Sequence, residues 1–184
     1  MTTTPQDTFL RQASAAARAA AHIFPDYAAC EAALESTWGR SRLAREANNL
    51  FGQKQSADGQ SGIATPGTTA GFLDMPTQEF LHGRWVTVIA HWACFADQAS
   101  SFRARMALLR RLEHSYPAYA RALAATTGEA FIEEVSRAWS TDPQRAQKVL
   151  AIHRQHSARF LPLVPAAVAA SGKPLSPIAG QIYA

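Results

Sequence analysis

Ala33-Leu34-Glu35-Ser36-Thr37-Trp38-Gly39-Arg40-Ser41, followed after Arg42–Ala47 by Asn48-Asn49-Leu50-Phe51-Gly52-Gln53-Lys54, is the most informative stretch of the 184-residue chain. Glu35 stands on a small, apolar helical segment just before a Trp-Gly break. Burial in such a place disfavours the ionised carboxyl and raises its pKa towards neutrality, as a general acid for glycoside cleavage requires. Glu35 is therefore the leading catalytic candidate; the competing reading is a solvated helical Glu.

Working outward, Phe9, Ala13, Ala16, Ala20 and Ile23 predict an amphipathic helix from Gln6 to Ile23. A second helix from Asp26 carries Tyr27, Cys30, Leu34 and Trp38 on its core stripe, with Ala28, Ala32 and Glu35 on a partly buried neighbouring stripe. Gly39 is its expected end, and the Trp38 ring is expected to keep the Glu35 carboxyl dry. Between Gly52 and Phe95 the composition favours extended chain, with loops at 57–62 and 65–69. His82-Gly83 reads as a hairpin turn that places Glu79 on one strand and Trp85 and Val88 on the other. Helices return after Ala96: a Phe102, Met106, Leu109, Leu112 stripe, a short helix over Tyr116–Ala125, and a third marked by Phe131, Val135 and Ala138. Thr126–Glu129 and Thr141–Gln144 have capping-box spacing, the second with Pro143 at the first position of a helix running to about Phe160.

A hydrophobic content of 47% over this length supports one compact domain, residues 1–160 with a β-lobe at about 52–95, and a Pro- and Ala-rich tail at 161–184. The net charge of +4, with fifteen Arg against three Lys, suits approach to an anionic polymer or envelope, although plain solubility explains it equally. The absence of a dense basic run or nucleic-acid motif argues against a nucleic-acid partner. Asp7, Arg11 and Arg18 interrupt any secretory h-region, and no segment reaches transmembrane length. Synthesis in the cytoplasm is the expectation, with Cys30 and Cys94 as free, buried thiols. His153 and His156 lack a third ligand, and there is no nucleophile elbow or phosphate loop, so neither a metal nor a cofactor is expected.

Three sets of residues carry a family resemblance. They are the Ala-Leu-Glu-Ser-x-Trp-Gly and Asn-Asn-Leu-Phe-Gly-x-Lys pair, Thr77-Gln78-Glu79-Phe80 before Gly83-Arg84-Trp85-Val86, and Thr141-Asp142-Pro143 with Ala146 and Lys148-Val149-Leu150. Spanning about Asp26 to Ile152, the pattern resembles the glucosaminidase family of peptidoglycan hydrolases, which includes autolysins, the flagellar rod hydrolase domain and some phage endolysins. The resemblance implies an α+β, mostly helical, lysozyme-like fold with a small antiparallel β-lobe and a cleft between lobes. It also implies Glu35 as general acid and Glu79 as the second carboxylate, with Asp58 and Asp74 as rivals for that role. Trp38, Asn48, Asn49, Phe51 and Trp139 are the expected substrate-binding residues; Asn48 and Asn49 read equally as turn caps. Trp139 stands where the family usually has Tyr, Trp92 replaces a Phe, Ala93 an Arg and Phe95 a Tyr.

The implied activity is an endo-β-N-acetylglucosaminidase cutting after N-acetylglucosamine in peptidoglycan glycan strands, as a monomer. A muramidase of the same fold and a catalytically silent glycan-binding or scaffold module are the alternatives. The simplest setting is a phage or prophage lysin, an endolysin with antimicrobial action, reaching the wall through a holin or another specialised release.

Overall fold

The computed structural model describes residues 3–55, 64–65 and 67–160, excluding the side chains of 79–81. The expected loop at 57–62, with Asp58, and the tail at 161–184 lie outside the described residues.

Helix α1 (Pro5–Ala19) opens with a reciprocal capping box between Thr4 and Asp7 and buries Leu10, Ala13 and Ala17. It ends before the predicted Ile23, because Ala21 takes a left-handed conformation that returns the chain to Pro25. Helix α2 (Pro25–Glu35) packs against α1 on one side and the last helix on the other. Ala28, Ala29, Ala32 and Ala33 let its neighbours approach closely, and all four are fully buried, unlike the half-buried stripe predicted for Ala28 and Ala32.

α2 stops at Glu35 rather than at Gly39. Ser36 Oγ donates to the Ala32 carbonyl and accepts from Gly39 N, while Thr37, Trp38 and Gly39 all have positive φ. Trp38 is therefore in a turn and not on the helix. After α3 (Arg42–Ala47), strands β1 (Gly71–Leu81) and β2 (Arg84–Cys94) form an antiparallel hairpin about the predicted turn, with His82 and Gly83 both left-handed.

Helices α4 (Gln98–Leu112), α5 (Pro117–Leu123), α6 (Gly128–Trp139) and α7 (Arg145–His156) complete the main lobe, followed by a 3₁₀ turn at Ser157–Arg159. Two capping predictions shift. Thr127, not Thr126, caps α6, and Glu129 instead accepts from the Tyr27 hydroxyl. α7 starts at Arg145, since Asp142 spends its carboxylate on Gln144 N and Lys148. The core gathers Phe102, Leu108 and Leu109 of α4 with Phe131, Ile132 and Val135 of α6 around α2. Cys30 is a buried free thiol in that core; Cys94, also free, is half-buried on β2.

Candidate active site

The end of α2 places Glu35 on a cavity of about 460 Å³, walled by Phe51, Trp92, Leu108, Leu112, Tyr116, Tyr119, Ala138 and Trp139, with Gln53 and Ser140 also lining it. Aromatic faces with few polar groups suit the apolar faces of sugar rings. The dry apolar setting expected around Glu35 is not what surrounds it. Its side chain keeps 25% exposure, and Arg145 Nε donates to Oε1 at 2.8 Å. The other carboxyl oxygen is the one available to a ligand in the cavity.

Arg145 belongs to a buried charged cluster. Its Nη2 donates to Glu31 Oε1 at 2.9 Å and its Nη1 to Ser136 Oγ at 2.8 Å. Arg105 Nη2 donates to the same Glu31 oxygen at 2.5 Å. Glu31 and Arg105 are fully buried and Arg145 nearly so. Burial alone would push the Glu31 carboxyl up, but the Arg105 and Arg145 guanidiniums outweigh it and hold it below the usual carboxylate range. Burial would likewise draw Arg145 down; Glu31 and Glu35 reverse that and raise it. The Arg105 guanidinium lies 4.2 Å from the Trp139 ring centroid and 4.9 Å from that of Phe51, cation–π contacts that join the cluster to the cavity wall.

Of the residues expected from sequence, Glu35, Phe51 and Trp139 meet at this cavity. Phe51 and Trp139 are edge to face, with centroids 6.4 Å apart. Trp38 is elsewhere: it packs edge-on against Phe9 and His156 and borders a small cleft with Pro5, Gln6 and Arg40, so it does not shield the Glu35 carboxyl. Asn48 and Asn49 spend their side chains on backbone. Asn48 Nδ2 donates to the Phe95 and Ala96 carbonyls, and the buried Asn49 donates to those of Gln53 and Ala93 while accepting from Gln53 N. These bonds fasten the base of the hairpin to the main lobe.

Glu79 pairs with Val86 across the hairpin. Its side chain lies outside the described residues. Val86 shares its strand face with Val88, Ala90 and Trp92, and Trp92 lines the Glu35 cavity. The six-residue step from Trp92 to Val86 sets Glu79 roughly 20 Å along the strand from the cavity. Asp74 is on the opposite face, bonded to His91 Nδ1 at 2.5 Å. Among the described residues no group of three or more His, Cys, Asp or Glu is placed to hold a metal ion.

Glu31, Arg105, Arg145, Gln53, Tyr116 and Tyr119 were not singled out from sequence. One signal existed: Glu31 falls a helical turn before Glu35, so two carboxylates share one face of an Ala-rich helix. Chemically, the arrangement offers one carboxyl at the mouth of an aromatic cavity. Both polar side-chain atoms of Gln53 and the Trp92 Nε1 are sealed behind the wall without hydrogen-bond partners.

Comparison with known proteins bears on this geometry. A family model described as mannosyl-glycoprotein endo-beta-N-acetylglucosaminidase, the glucosaminidase family, matches residues 11–158. The peptidoglycan hydrolase FlgJ of Pseudomonas aeruginosa is 34% identical over 154 residues, covering 80% of this chain and 34% of that protein. A probable N-acetylmuramidase of Lactococcus lactis is 28% identical over 162 residues, covering 84% and 34%. This chain thus spans about a third of the length of these relatives. The catalytic domain of the Listeria monocytogenes autolysin Auto superposes with a TM-score of 0.69 at 25% identity, over 86% of this chain and 88% of that one.

Proposed function

We propose a specific reaction for this chain from the premise that it belongs to the glucosaminidase family, whose model spans its residues 11–158. The chain hydrolyses peptidoglycan at the β-1,4 bond after N-acetylglucosamine, with Glu35 donating the proton to the leaving oxygen. The observation that carries this reading is Glu35 at the lip of an aromatic-walled cavity with an oxygen free of Arg145.

The second role goes to Glu79, and its place far along the hairpin supports either closure of the hairpin over bound glycan or attack by the substrate's own acetamido group. Asp74 is disfavoured by its position on the other strand face, paired with His91. Release of the phage- or prophage-lysin kind stays part of the proposal. Co-expression with a holin tests it, with lysis on holin induction expected and unchanged growth counting against it.

Two measurements test the activity. Zymography on purified cell walls should give a clearing band, whereas wall binding without clearing would indicate a silent glycan-binding module. Borohydride reduction of digested sacculi and mass spectrometry then locate the cut. New reducing ends on N-acetylglucosamine are expected; ends on N-acetylmuramic acid would favour the muramidase reading, for which the name of the Lactococcus lactis relative is the supporting observation.

A further inference from the structure

We propose that Arg145 is a positioning residue for Glu35, and that Glu31 is the buried anchor from which both the acid and the aromatic wall of the cavity are held. The inference rests on the reading of Glu35 as the proton donor.

Glu35 is the last residue of α2, next to a turn of left-handed residues, and its side chain is part-exposed. A Glu in that place has several open rotamers. Arg145 removes that freedom. Its planar guanidinium is hydrogen-bonded at Nε to Glu35, at Nη2 to Glu31 and at Nη1 to Ser136, so contacts on α2 and α6 fix its plane from an α7 backbone.

Glu31 Oε1 is the common acceptor for Arg145 and Arg105. Arg105 lies against the rings of Trp139 and Phe51. One carboxylate therefore has two arms, one reaching the acid through Arg145 and one reaching the cavity wall through Arg105. Stability alone does not explain the cluster. Buried ion pairs are commonly replaceable by apolar residues without loss, and here Glu31 Oε2, Arg105 Nε and Arg105 Nη1 have no hydrogen-bond partner. Fixing the acid against the wall is a job that apolar packing cannot do.

The two arms predict different kinetic signatures in sacculus hydrolysis. Arg145→Met should lower kcat about 100-fold, the scale of a misplacement near 1 Å, with KM within about twofold. Arg145→Lys keeps the charge but not the fork, and should recover about tenfold of that loss. Arg105→Met should act mainly on KM. If Arg145→Met does not fold, Arg145→Lys and Ser136→Ala, which removes only the third contact of Arg145, should show the same kcat-selective loss at unchanged melting temperature. The proposal is overturned if the Arg145 variants keep kcat within about threefold of the parent, or if kcat and KM move together in step with melting temperature. An inactive Glu35→Gln beside an active Arg145→Met overturns the positioning role alone; an active Glu35→Gln overturns this role and the assignment of the acid together.

Discussion

Glu31 and Glu35 stand one helical turn apart on α2, and a single guanidinium, that of Arg145, is hydrogen-bonded to both, at 2.9 and 2.8 Å. The inner carboxylate is sealed in the core and the outer one opens on the cavity. Two residues of the same type on one helix face thus hold separate environments, and only the outer one can meet a substrate.

Glu35→Gln should lower wall hydrolysis by several orders of magnitude, because an amide cannot give a proton to the leaving oxygen. The amide oxygen can still accept from Arg145 Nε, so far-UV circular dichroism should match the parent. Turnover within about tenfold of the parent would remove Glu35 from the role.

Glu79→Gln should impair turnover less than Glu35→Gln if the acetamido group acts as nucleophile. Closure can be read directly with spin labels at Thr87 and Ser115, both exposed, in a Cys94→Ser background. A shorter distance on adding glycan fragments is expected for closure; an unchanged distance points to the assisted route.

His22 should make the fold sensitive to acid. Burial against Phe102 and Phe131 is the main cause that takes its pKa down to about 4 from the ordinary 6.5. The unfolded chain therefore binds the proton more readily, and stability falls as pH drops from about 6.5 to about 4, by on the order of 3 kcal/mol. Asp7 acts at lower pH. The Thr4 backbone hydrogen bond takes its pKa down to about 2, so its contribution is present above the unfolded value of 3.8 and is lost below it. Melting temperature against pH checks both; His22→Gln should flatten the curve between pH 6.5 and 4.

Gly128→Ala should destabilise the protein by about 1–3 kcal/mol, because a Cβ there runs into the Tyr27 ring, which also stacks on His153. Chemical denaturation measures it. A neutral effect would mean that Tyr27 swings away freely, and its hydrogen bond to Glu129 should then be dispensable as well.

The hairpin was legible because left-handed His82-Gly83 between β-formers leaves few other pairings, and Glu35 because it interrupts a small-residue segment. The end of α2 was misread: Ser36 closes on the Ala32 carbonyl with its own hydroxyl, a side-chain choice with no periodic signature. Trp38 was misplaced as a result. The charged cluster was hidden for another reason. Arg105 and Arg145 lie 74 and 114 residues from Glu31, and a lone Arg in an amphipathic helix looks solvated until its partner is known.

The fastening of the hairpin by Asn48, Asn49 and the 53–55 segment has an evolutionary consequence. Beyond those bonds the arm shares little of the main core, and Trp85 near its tip is 68% exposed. Substitutions and length changes at the tip are therefore nearly free of folding penalty, whereas the cavity below tolerates few. The turn at His82-Gly83 can therefore drift or be engineered, while Glu79 and Trp92 farther down the arm stay bound to the chemistry proposed for the cavity.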